Sequence, residues 1–115
     1  MDPSNPINRR RSERVMLEVS VMVLTETFEG DQHKEENQTL VVNAHGGLLN
    51  LRMEILPGQP VVIVNTKSGR EKTARIVRVD LPPGGYSQVA FEFDEPSPDF
   101  WPIIFPPADW GLAPS

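Results

Sequence analysis

The sequence predicts an all-β fold, a small six-stranded antiparallel barrel, and three observations carry that expectation. Apolar and polar residues alternate with period two over residues 15–23, turn-forming Gly and Pro residues recur at short intervals downstream, and no segment before residue 97 has helical periodicity. Closing such strands on one another removes exposed sheet edges. At 115 residues the chain has the size of one domain and can bury a single apolar core without staples.

The elements follow in order. Residues 1–8 hold two prolines and several turn-formers, which predicts a disordered or extended lead-in. In the first strand Val15, Leu17, Val19, Val21 and Val23 share one face, with Glu18 and Ser20 on the other. Residues 29–37 are polar and read as a loop at a hairpin end. A second strand is expected over 39–43, and His45-Gly46-Gly47 separates it from a third over 48–53. Leu56-Pro57-Gly58-Gln59 carries Pro-Gly at its centre, the chemistry of a type II turn. Strands four, five and six are expected over 60–65, 71–80 and 86–93, separated by turns at Ser68-Gly69 and at Pro82-Pro83-Gly84-Gly85. In the last of them Val89, Phe91 and Phe93 share a face.

Charge divides the chain further. Residues 1–14 hold Arg9, Arg10, Arg11 and Arg14 against Asp2 and Glu13, a balance of +2, while the other 101 residues carry 7 basic and 14 acidic groups. A basic arm (1–14) therefore precedes an acidic barrel (15–95). Such an arm serves either as a solubilising tail or as an anion-binding segment that becomes ordered on its ligand. Residues 96–115 form a third region with six of the twelve prolines and four of the eight aromatics, Phe100, Trp101, Phe105 and Trp110. Prolines this dense prevent a long helix. Aromatics this dense are expected to pack on the barrel, plugging one end, or on a partner.

Several function classes are excluded or disfavoured. With no cysteine, disulfides, thiolate metal sites and cysteine nucleophiles are absent together. The net charge of −5 argues against general nucleic-acid affinity. An OB- or SH3-like nucleic-acid binder would also need a basic face with interleaved aromatics, and here the aromatics lie in the proline-rich region. His33 and His45 have no metal-ligand spacing, and neither a nucleophile elbow nor a phosphate-binding Gly-rich loop occurs. No enzyme and no metal or other cofactor is expected. Short apolar runs and a polar start predict a soluble, cytoplasmic chain without membrane insertion.

Two local features stand together. Arg10-Arg11-Ser12-Glu13-Arg14 places two arginines four apart just before the first strand, and Asn43-Ala44-His45-Gly46-Gly47-Leu48 sits between two strands. Over residues 9–95 this arrangement resembles the PilZ domain family, bacterial receptors for the second messenger cyclic di-GMP. The family pattern is Arg-x-x-x-Arg before the first strand, then Asp/Asn-x-Ser-x-x-Gly. The first element fits fully. In the second, Asn43 fits, His45 stands where serine is expected, and Leu48 stands where the last glycine is expected, with Gly47 one position early. Either the turn has lost a residue or the site has drifted.

The resemblance implies a PilZ-like split barrel and a ligand site built from Arg10, Arg14, Asn43, His45 and Gly47, with Arg9 and Arg11 as helpers. Arginine clamps phosphate, pairs bidentately with guanine O6/N7 and stacks on bases. Asn43 would offer its amide to a guanine edge or phosphate, and His45 would stack on guanine or fill the pocket. Gly46 and Gly47 would allow close backbone approach or supply positive φ for a turn. The implied function is a cyclic di-GMP-binding signalling effector that relays the messenger level to a partner protein. The alternative is a degenerate PilZ-like interaction module that does not bind the messenger. In either case the partner is a protein or a second copy of the chain, not DNA or RNA.

Overall fold

The computed structural model describes residues 14–26 and 29–102. Its seven strands are β1 (Val15–Met16), β2 (Ser20–Glu26), β3 (Gln32–Asn43), β4 (Gly46–Leu51), β5 (Pro60–Asn65), β6 (Glu71–Asp80) and β7 (Ser87–Phe93). All pair antiparallel. β2 to β7 close a six-stranded barrel in the order β3-β2-β5-β6-β7-β4, with β4 returning to β3, and β1 adds a short extra pairing on β3. A single 3-10 turn, Pro98–Phe100, is the only helical element among the described residues. None of those residues forms a helix long and apolar enough to cross a membrane.

The first strand differs from the expected unbroken run over 15–23. Met16 pairs with Val41 and Ser20 with Gln38, so four steps on one strand meet three on the other. That is the count of a β-bulge. Thr39 holds it: its buried hydroxyl donates to Leu17 O at 2.7 Å and accepts the Val19 N–H at 2.9 Å. Thr39→Val keeps the shape but removes both bonds, and should lower stability by about 1–3 kcal/mol. Urea unfolding of the two proteins measures that difference.

Residues 29–37, expected as a loop, are mostly strand. β3 begins at Gln32 and pairs with β2 from Glu26↔Gln32 to Ser20↔Gln38. This half of β3 is largely exposed, so its polarity reflects solvent rather than the absence of a ladder. Where β4 has ended, the Glu35 carboxylate takes over, accepting the N–H groups of Arg52 and Met53 at 2.8–3.0 Å. The expected turn at 56–59 forms, with Gln59 N donating to Leu56 O at 3.1 Å and Gly58 at φ 86°. Those are the marks of a type II turn.

The core is filled by inward residues of alternate positions, among them Val21, Val23, Val42, Leu49, Leu51, Ile63, Ile76 and Val89. One end is closed by the chain after β7. Phe100 and Trp101 are buried there, 2% and 3% exposed. Their rings join Phe91 and Phe93 in a cluster with centroids 4.9–6.3 Å apart. Asn65 Nδ2 donates to Phe100 O at 3.2 Å, and Arg70 pairs with Asp99 at 3.2 Å. The latter pair is more than half exposed on both sides and contributes little. Phe105 and Trp110 lie outside the described residues.

Candidate functional site

Asn43 ends β3, Gly46 begins β4, and the two are paired, so Ala44 and His45 alone connect the strands. The tightness has a local cause. Asn43 Oδ1 accepts the backbone N–H of His45 at 2.8 Å and of Gly46 at 2.9 Å, the habit of an Asx turn. The acceptor oxygen of Asn43 thus serves the turn, and its amide NH₂ is the group left to donate.

The turn is also anchored from behind. Three successive carbonyls are taken by the chain at and beyond the end of β7. Asn43 O accepts from Trp101 Nε1 at 2.8 Å, Ala44 O from Ser97 N at 2.8 Å, and His45 O from Phe93 N at 2.6 Å. The outward side of the turn is therefore what it can offer a ligand.

Gly46 and Gly47 are not among the positive-φ glycines, so the positive-φ reading does not hold. Both are close-approach positions, and what approaches is the protein itself. A Cβ on Gly46 would run into the Phe91 carbonyl oxygen, and one on Gly47 would come within 3.0 Å of both Phe91 Cζ and Val41 O.

The turn opens on a surface cleft of about 310 Å³ whose lining includes Arg14, Asn43, His45, Gly47 and Leu48. The two sequence motifs, 29 residues apart from Arg14 to Asn43, therefore meet through Arg14. Arg9, Arg10 and Arg11 lie outside the described residues. Comparison with protein-family models, curated proteins and solved structures finds no match for this chain.

The cleft floor contains residues that sequence reading did not single out. Cross-strand register aligns Met16, Val41, Leu48 and Ala90 in one row over four neighbouring strands, and the row ends at Arg78 on β6. Met16 is 87% exposed and Val77, beside Arg78, is 50% exposed. Arg78 and Glu92 also line the cleft, so its lining holds two arginines and one carboxylate side chain. A signal for Arg78 existed in the doublet Ile76-Val77, where two adjacent apolar residues break period-two alternation. A larger groove, about 610 Å³, lies over Leu24 and Val62 on β2 and β5 and contains none of the predicted site residues.

Proposed function

We propose that this chain is a PilZ-like receptor for cyclic di-GMP that passes its ligand state to a protein partner. The observation that carries the reading is the convergence of Arg14 with the segment 43–48 in one cleft floored by an apolar row. Cyclic di-GMP needs both features: cations for two phosphates, and a flat apolar surface for two purines. The cleft volume is at the lower end of small-molecule sites, and an arm carrying Arg10 would enlarge the contact.

Of the two explanations for the altered second motif, the two-residue turn favours a lost residue. With Asn43 and Gly46 directly paired, Gly47 takes the place expected of the last glycine, and Leu48 belongs to the row across the sheet. Catalysis plays no part in this reading.

Titration calorimetry of the intact chain with cyclic di-GMP tests it. Arg10→Ala and Arg14→Ala should each weaken binding by about 1.5–3 kcal/mol, the scale of a charge-assisted bond. Absence of binding by the wild type at millimolar ligand rejects the receptor reading. It leaves the interaction module, for which the exposed Met16 and Val77 are the supporting observation.

A further inference from the structure

We infer that Arg78 is a second anion-binding residue of the cleft, aimed into it by the β-bulge at Val77, and that it holds a phosphate of cyclic di-GMP which Arg14 does not reach. The inference rests on the ligand reading above and adds a residue outside both sequence motifs.

Strand phase is the starting point. Ala74 and Ile76 of β6 point into the barrel and are buried. Strict alternation would send residue 78 inward as well, and an unpaired guanidinium in that core would be prohibitively costly. The register avoids this. Ile76 pairs with Phe91 but Arg78 with Ala90, so two steps on β6 meet one on β7. From there the phase is reset. Val79 pairs with Val89 and packs against the core, while Arg78 stands outside with its side chain 57% exposed. Bulges re-aim side chains in this way and are frequent beside binding sites.

The placement suits an anion. Arg78 Nε donates to Asp80 Oδ2 at 3.0 Å, which orients the guanidinium through one edge. Its two terminal nitrogens are the fork that grips phosphate. Because both partners are more than half exposed, the pair is weak and yields readily to a ligand. Met16 of β1 and Arg78 of β6 stand at opposite ends of the row through Val41, Leu48 and Ala90, and Arg14 lies two residues before Met16. Four inter-strand spacings, about 19 Å along the sheet, separate β1 from β6, and Arg14 is offset from the row by two residues. A ligand touching both arginines must carry two acceptors flanking a flat apolar body.

Calorimetric titration of the intact chain with cyclic di-GMP separates the possibilities, using wild type, Arg14→Ala, Arg78→Gln and Asp80→Asn. Arg78→Gln should bind ten-fold or more weakly while melting like wild type, and Asp80→Asn should bind at least as well as wild type. Arg78→Gln with wild-type affinity, alongside a weakened Arg14→Ala, overturns the role of Arg78 and leaves the receptor reading intact. Equal losses in Arg78→Gln and Asp80→Asn overturn it too, because the pair would then act only by holding β6. A wild type that does not bind removes the receptor reading and this inference together.

Discussion

Trp101→Ala is expected to lower the unfolding free energy by about 3–5 kcal/mol, the range for deleting a large buried aromatic. Trp101 is 3% exposed and packs on three rings, Phe91 at 6.3 Å, Phe93 at 5.8 Å and Phe100 at 4.9 Å. Its loss leaves a cavity at the closed end of the barrel, where the rigid strands around it cannot collapse inward. It also strips Asn43 O of its donor. Trp101→Phe keeps one ring and removes the Nε1–H bond together with part of the packing, and the lost bond should add about 1–2 kcal/mol to the cost of the smaller ring. Urea unfolding of the three proteins is the measurement. A loss below 1 kcal/mol in the alanine variant would show that residues 97–101 rest on the barrel without belonging to its core.

Gly46→Ala should be as damaging, although it adds one carbon. The new Cβ would overlap the Phe91 carbonyl oxygen, and neither atom can rotate away because both belong to the ladder between β4 and β7. Relief requires the strands to part at Gly46↔Glu92, beside the turn of the candidate site. We expect a loss of about 3 kcal/mol or more, at the upper end of overpacking costs. Hydrogen exchange should report it first at the amides of His45 and Phe93, before global unfolding. Wild-type stability in this variant would mean that β4 and β7 part at Gly46↔Glu92 at little cost.

The all-β class was legible because burial in a small barrel imposes period two, and residues 15–23 and 86–93 display it openly. Polar β3 was not legible. Residues 32–38 gain their strand conformation from β2, whose register partners carry the apolar pattern, so their own composition is that of a surface loop. Bulges escaped for a related reason. One extra residue at 17–19 leaves Val15, Leu17, Val19 and Val21 in apparent step, and the hydroxyl that stabilises the irregularity, Thr39, lies 20 residues from Val19. In the candidate site the segment 43–48 was visible as a motif, whereas Arg78 was marked only by the broken alternation at Ile76-Val77, which does not by itself say which way Arg78 points. Its orientation depends on a phase shift that only pairing with β7 defines.

The three carbonyls of residues 43–45 have a consequence for synthesis. Their donors come from Phe93, Ser97 and Trp101, and the last is 58 residues further along the chain than the carbonyl it satisfies. A nascent chain on the ribosome thus makes both strands of this hairpin long before it makes the groups that anchor the hairpin from behind. The turn that bears His45 is completed last, once residue 101 has cleared the exit tunnel. Interrupted translation or proteolytic trimming upstream of that residue would yield fragments that keep every motif residue yet lack the indole that holds Asn43 O from behind. In such fragments the turn between β3 and β4 would be held less firmly, so the order of this hairpin reports that the chain has been made through residue 101.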